Sequence, residues 1–332
     1  MADPLDVLDE HARSLVRPAG EPGFRPPMLA TLTKRRFSSP DWLFERKLDG
    51  VRAIASADGD PPVLWSRNEK TMSDSYPELV AALGAHGAPR FVADGEIVAF
   101  DDEQTSFAKL QARIHLTGTH RIEATGVSVY FYLFDLLVLG DADLTRLSLR
   151  DRKRVLREAF DFRDPLRYSE HRDTDGEAYY TYACEHGWEG LIAKRAESPY
   201  YEGRSTDWLK FKCVRDQEFV IGGFTEPQGS RTGFGALLVG YYDSGRLRYA
   251  GKVGTGYSDA LLARLRRALN RIETRKTPFS DPVPEHRPHW VRPELVAQVG
   301  FTEWTRDGRL RHPRFVGLRT DKEPEDVVRE GS

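Results

Sequence analysis

The chain has 332 residues, which at roughly 150 residues per domain makes about two domains, each large enough for its own core. Its 49 Lys and Arg nearly balance 51 Asp and Glu, for a formal net charge of -2. No bulk excess of charge therefore points to a nucleic acid or a membrane surface, and any polyanion site must come from local charge sorting. Two cysteines, Cys184 and Cys213, are too few for a disulfide framework or a four-thiolate zinc module. A reducing cytoplasm is the simpler expectation, with both packed as small apolar side chains.

The opening segment, residues 1–27, mixes charge with Pro and Gly and has no sustained period, so a mostly irregular lead-in is expected. It lacks the basic start and apolar core of a secretory signal. Beyond it, short apolar runs alternate with helical pieces, as in an α+β domain over residues 28–213. FVADGEIVAF and VSVYFYLFDLLVL read as buried strands. The latter region, Val127 to Leu139, is the longest apolar stretch; it contains Asp135 and falls short of the roughly 20 residues that span a bilayer. Ser148 with Asp151 resembles a capping box before the helix DRKRVLREAF, and Gly187 ends a second helix, GEAYYTYACEH. After Lys212 the texture changes to EFVIGGF, ALLVGYY, a turn at Asp243-Ser244-Gly245 and RLRYAGKV. A helix opened by Ser258, DALLARLRRALNRIE, follows, then a Pro-rich connection, ELVAQVGFTEWT and RLRHPRFVGLR. Strands around one helix suggest a small β-barrel of the OB type over residues 214–332. Charge sorts between the two parts, +4 from residue 214 onward and -6 before it. Arg306, Arg309, Arg311, Arg314, Arg319 and Lys322 gather in one basic segment. His115, His171, His186 and His312 have no partner at metal-ligand spacing.

The sharpest local signal is Glu45-Arg46-Lys47-Leu48-Asp49-Gly50-Val51-Arg52. A K-x-D-G-x-R string arises by chance in such a chain at on the order of one per cent, so alone it only suggests. Its ordered companions are Ser66-Arg67-Asn68, Asp94-Gly95-Glu96, Phe134-Asp135, Glu189-Gly190-Leu191-Ile192-Ala193-Lys194, Trp208-Leu209-Lys210-Phe211-Lys212 and Arg319-Thr320-Asp321-Lys322. In this order they resemble the covalent nucleotidyltransferases: ATP-dependent DNA ligases, RNA ligases and mRNA capping enzymes. PPMLATL, DWLFERKLDGVRA, EGLIAKR and HPRFVGLRTDK are most similar to the ligases of bacterial non-homologous end joining. Only 46 residues precede Lys47, so the helical DNA-binding domain of replicative ligases is expected to be absent. The cysteine count excludes the zinc module of NAD-dependent ligases, in favour of ATP.

The resemblance implies a nucleotidyltransferase domain followed by an OB-fold barrel, and a three-step reaction. Lys47 takes AMP from ATP, AMP passes to a DNA 5′-phosphate, and a 3′-hydroxyl displaces AMP. A lysine attacks only as the neutral amine, so nearby cations such as Arg52, Lys210, Lys212 and a metal ion are expected to disfavour its ammonium. Glu45 is implied beside the adenine and Phe134 stacked on it. Arg52 and Arg67 are implied on ribose or phosphate, and Glu96 on ribose hydroxyls. Lys194 and Arg204 join the nucleotide contacts, Lys210 and Lys212 grip the α-phosphate, and Arg319, Asp321 and Lys322 serve the pyrophosphate. Glu96 and Glu189 are the implied ligands of Mg²⁺ or Mn²⁺. Arg309, Arg311 and Arg314 are expected on duplex DNA. The bacterial Ku end-binding protein is an implied partner, with the chain a monomer, cytoplasmic and nucleoid-associated, and with no membrane.

Each feature by itself has a plainer reading. Lys47 with Asp49 fits an exposed turn ion pair, Phe134 a core residue, Lys210 and Lys212 a solvated strand face, and the arginine cluster a charged sheet edge. An RNA ligase or a GTP-using capping enzyme keeps the chemistry with another substrate; a DNA-binding module with a decayed site is the third class. The intact set Lys47, Glu96, Glu189, Lys210 and Lys212 speaks against the last.

Overall fold

A computed structural model describes residues 3–59, 61–85, 90–114, 116–213, 216–227, 232–305 and 307–330. Arg306 and His115 lie outside them. Two compact units divide the chain, Met1–Cys213 and Val214–Ser332.

The first unit is built on two sheets. Its elements are α1 (Glu10–Leu15), β1 (Met28–Leu32), β2 (Trp42–Arg46), β3 (Val51–Asp58), β4 (Val63–Ser66), α2 (Pro77–Ala85), β5 (Arg90–Asp101), β6 (Val129–Leu139), α3 (Leu149–Ala159), β7 (His171–Asp173), α4 (Gly176–Glu185), β8 (Gly190–Arg195) and β9 (Gly203–Lys212). One sheet runs β6-β5-β3-β4, all antiparallel. Its strands are buried along most of their length, as expected of a sheet covered on both faces. The second runs β7-β2-β8-β9-β1, with only the β9–β1 pair parallel. This sheet places the end of β2, the start of β8 and the end of β9 side by side.

Local chemistry sets the helix ends. Ser148 Oγ accepts from the Asp151 N–H at 3.1 Å, the N-cap of α3, and donates to its carboxylate at 2.8 Å. Gly187, at φ +69°, follows the end of α4. The lead-in is less irregular than its composition suggests. Asp3 and Asp9 cap two short helical turns, and Leu8 and Ala12 are buried in the same core as β3, β5 and β6. Two carboxylate caps outweigh the Pro and Gly that follow, and burial of Leu8, just before the second cap, and of Ala12, in the first turn of α1, fixes the segment to the core.

The cysteines also depart from expectation. Cys184, in the last turn of α4, is disulfide-bonded to Cys213, which follows β9, with Cα atoms 5.3 Å apart. The 29-residue separation conceals a contact that the α4–β8–β9 path makes by folding back.

The second unit comprises β10 (Asp216–Phe224), β11 (Leu237–Asp243), β12 (Arg246–Val253), α5 (Asp259–Arg271), β13 (His289–Gly300) and β14 (Arg314–Arg319). Their order is β12-β11-β10-β13-β14, antiparallel throughout. A bridge between Thr255 and Arg314 brings the two ends together. This is the five-strand Greek-key order of an OB barrel, with the helix between the third and fourth strands. Ser258 caps α5, and Leu262, Leu265 and Leu269 pack with Phe219, Val239 and Val299. The hairpin turn has Ser244 at φ +50° and Gly245 at +73°, the doubly left-handed pair that a tight hairpin demands.

Candidate active site

Lys47 is the residue after β2. Its N–H donates to the Gly190 carbonyl at 2.9 Å, and its ammonium pairs with the Glu189 carboxylate, with 17% and 10% of the two side chains exposed. The rest of the K-x-D-G string holds this lysine in place. Asp49 accepts from the Phe107 N–H at 3.0 Å, and its own N–H donates to Thr105 Oγ1 at 3.1 Å. A Cβ on Gly50 would fall on the Ile97 carbonyl of β5. Aspartate and glycine thus dock the turn that carries the lysine.

Gly190 sets the other side. It lies at φ +142°, and a Cβ there would meet the Phe211 carbonyl, so β8 can pair with β9 beside Glu189 only with glycine. Gly190→Ala is expected to cost on the order of 2 kcal/mol or more and to displace Glu189 from Lys47; a thermal melt together with adenylylation rates would show both losses.

Where the sequence reading surrounds Lys47 with cations, the structure sets a carboxylate against it. An ammonium is stabilised by that contact. Lys210 and Lys212 stand on β9, opposite Ile192 and Gly190 and alternating with buried Phe211. Arg204, at the other end of β9, donates to the Ala30 carbonyl at 3.0 Å. Arg67 lies in the turn just beyond β4.

On β3, Arg52 is opposite Glu96 of β5. Its Nε and Nη2 donate to both oxygens of buried Asp94, at 2.5 and 2.6 Å, and Nη2 also reaches the Met28 carbonyl. Tyr200 completes this network: its hydroxyl donates to Asp94 at 2.6 Å and accepts from the Met28 N–H at 2.9 Å. Burial works against the charge on Arg52, but Asp94 outweighs it and raises the guanidinium pKa. Phe134 has Arg52 4.6 Å and Lys194 4.0 Å from its ring centre, and it packs edge-on to Trp208.

Glu45 is 2% exposed. Lys153 donates to one of its oxygens at 2.8 Å; Lys194, at 2.8 Å, and Ser169, at 3.2 Å, donate to the other. Burial alone would raise the Glu45 pKa, but the two ammonium groups outweigh it and lower it. Two cations sharing one buried anion leave an excess positive charge, and burial brings Lys194 down to about 8 despite its pairing with Glu45. Below pH 8 this lysine is charged in both folded and unfolded chains. Between about 8 and its unfolded value of about 10.4 the unfolded chain holds more protons, so its contribution to stability rises with pH. Across that window the wild type is expected to gain thermal stability on Lys194→Met; a constant difference between their melting curves would contradict this.

Lys153 escaped the sequence reading, as did Arg152, whose guanidinium binds both oxygens of Asp135 at 2.7 and 2.9 Å with neither side chain exposed. The signal was available. In α3 these two charges stand three and four residues after buried Leu149, on the face that also buries Val155 and Leu156, where apolar residues belong.

Within the barrel unit, Arg319 donates to both oxygens of Asp321 at 2.9 and 2.8 Å and to Gln298 at 3.2 Å, and Lys322 pairs with Glu218 at 3.2 Å. Burial would raise the Asp321 pKa, but Arg319 and Lys322 outweigh it and lower it. Arg309 donates to the Tyr249 carbonyl and lies over that ring. Arg311 pairs with Glu303 at 2.7 Å, whereas Arg314 is exposed at the start of β14. The three arginines expected on DNA thus have different settings: one is tied to its own barrel, one is in an exposed ion pair and one projects to solvent. Among the described residues no group of three or more His, Cys, Asp or Glu is arranged to hold a metal ion, and no helix is long and apolar enough to cross a membrane.

A positioned lysine, a facing carboxylate and a strand of cations, followed by an OB barrel, define a covalent nucleotidyltransferase. Comparison with known proteins narrows the class. The family model for the ATP dependent DNA ligase domain matches residues 27–212, and that for the ATP dependent DNA ligase C terminal region matches residues 230–322. The multifunctional non-homologous end joining protein LigD of Pseudomonas aeruginosa is 37% identical over 97% of this chain and 39% of its own length. DNA ligase C1 of Mycolicibacterium smegmatis is 32% identical, covering 90% of this chain and 92% of its own. A solved mycobacterial DNA ligase D, complexed with ATP and MES, superposes with a TM-score of 0.66 at 36% identity, covering 92% of this chain and 98% of that one. The chain belongs to the ATP-dependent DNA ligase family, and the RNA-ligase or capping alternative is not favoured. It spans about two fifths of the length of the LigD proteins it matches.

Proposed function

We propose that the chain seals 3′-hydroxyl and 5′-phosphate ends of nicked or broken duplex DNA through a lysyl-AMP intermediate on Lys47. The observation that carries this reading is Lys47 held against Glu189 where β2, β8 and β9 meet, with Lys210 and Lys212 on the adjoining strand. Phosphoryl transfer asks for position and charge neutralisation more than for acid or base groups, and β9 supplies the charge. Arg52, Arg67, Lys194, Arg204, Glu45 and Phe134 are assigned to the nucleotide, and Arg319, Asp321 and Lys322 to the leaving pyrophosphate.

Glu96 and Glu189 are oxygen donors suited to Mg²⁺ or Mn²⁺, which commonly take one or two carboxylates and fill their remaining positions with water and substrate phosphates. A bound divalent ion would neutralise phosphate charge. Glu189 also sets the state of the lysine: parted from Lys47, its carboxylate would no longer stabilise the ammonium.

Arg309, Arg311 and Arg314 are assigned to the DNA backbone, independent of base sequence. The end-joining relatives support a role in double-strand break repair; Ku as partner, a monomeric state and a place at the nucleoid belong to the same proposal. Incubation with α-labelled ATP or GTP and Mg²⁺, then addition of nicked DNA or RNA, tests the reading. Label from ATP that is discharged only on nicked DNA is the expected result, and labelling by GTP alone would overturn it.

A further inference from the structure

We propose that Cys184 and Cys213 are a reversible oxidative modification site, a dithiol–disulfide pair that takes a small-molecule disulfide such as oxidised glutathione as its co-reactant. Their Cα atoms, 5.3 Å apart, lie well within the separation a disulfide can bridge. Both residues are partly exposed, at the surface edge of the cluster that holds Phe44 and Phe211.

The position of the pair gives it a purpose. The covalent ring closed by the bond runs from residue 184 to residue 213 and contains Glu189, Lys194, Arg204, Lys210 and Lys212, which are five of the candidate site residues. Cys213 directly follows Lys212, and its N–H donates to the Glu189 carbonyl at 3.0 Å. The Lys212 carbonyl in turn accepts from the Tyr180 hydroxyl of α4 at 3.0 Å and from Arg36 at 3.3 Å. Closing the disulfide therefore adds a covalent tie beside a few single hydrogen bonds, at the point where α4 secures the end of β9. Opening it removes that covalent tie and leaves the end of β9 joined to α4 by the Tyr180 hydrogen bond, beside the strand pairing of Lys212 with Gly190.

The exchange balances. One cysteine thiolate attacks a sulfur of the small disulfide, releasing one small thiol and leaving a mixed disulfide; the second cysteine displaces the other small thiol. The protein dithiol loses two electrons and two protons, and the small disulfide becomes two thiols. Reduction is the reverse.

The pairing stands on geometry, while its effect on rate rests on the ligase reading above. The full chain is equilibrated at graded ratios of reduced to oxidised glutathione, alkylated and weighed, and its melting temperature and rate of labelling by α-labelled ATP are measured at each ratio. A reversible Cys184–Cys213 bond is expected, with the reduced chain melting several degrees lower and labelling several-fold more slowly. Cys184→Ser and Cys213→Ser should each reproduce the reduced values and ignore the glutathione ratio. Finding only mixed disulfides with glutathione, or an internal bond that moves neither melting nor labelling, would overturn the site. A bond that shifts melting while no label appears at any ratio would uphold the modification and sink the ligase reading.

Discussion

Lys47→Ala is expected to lower labelling from α-labelled ATP by at least about 10³-fold, since no other group on β2 can replace the missing nucleophile. It also breaks a mostly buried ion pair, with 17% and 10% of the two side chains exposed, so a loss of roughly 3 kcal/mol in stability is expected beside the loss of label. Lys47→Arg separates the two roles of the lysine, because a guanidinium can keep the pairing with Glu189 yet cannot act as the amine. It is expected to melt like the wild type and to take no label. Both variants should still close a nick whose 5′-phosphate already carries AMP, since that step asks only for the 3′-hydroxyl, bound cations and position. Retained labelling in Lys47→Ala, measured after gel separation of the labelled protein, would remove this lysine from the mechanism.

Glu45→Ala carries the largest expected loss of stability. It strands Lys153 and Lys194, each at most 2% exposed, and breaking a buried pair by removing one partner costs about 3–5 kcal/mol. For a unit of this size that is a fall of roughly 6–20 °C in melting temperature. The three groups share one network, so Lys153→Met should cost less in the Glu45→Ala background than alone. Additive losses in that cycle would mean that the side chains do not act together. The same network gives an acid limit. The folded Glu45 pKa is lowered, so its stabilisation is present above the unfolded value and is lost as pH falls below it.

The arrangement divides the labour of the K-x-D-G-x-R string. Lys47 faces a carboxylate, Asp49 and Gly50 fasten its turn, and Arg52 is committed to Asp94 and Met28. Such a string is recognisable from sequence because its parts lie within six residues. Strand and helix signals were legible for the same reason. Ser148, Ser258 and Gly187 act on backbone groups within a turn of themselves, and Ser244-Gly245 sets its own hairpin.

Other features depend on partners that no local pattern reveals. Lys153 reaches Glu45 across 108 positions and Lys194 reaches it across 149, and Tyr200 joins Asp94 across 106. Cys184 and Cys213 read as isolated small residues until α4 and β9 are placed side by side. The near-neutral charge likewise says little until it is divided, and even then the +4 half spends Arg309, Arg311 and Arg319 on partners in its own barrel. Ordered motifs along the chain were enough to point to the family, the fold class and the kind of reaction, because each is written in residues adjacent in sequence. Tertiary structure alone decided what faces Lys47, which charges are buried and how they are satisfied. A charge leaves water only when a partner meets it in the folded chain, and that partner is chosen by packing across sheets rather than by spacing along the sequence.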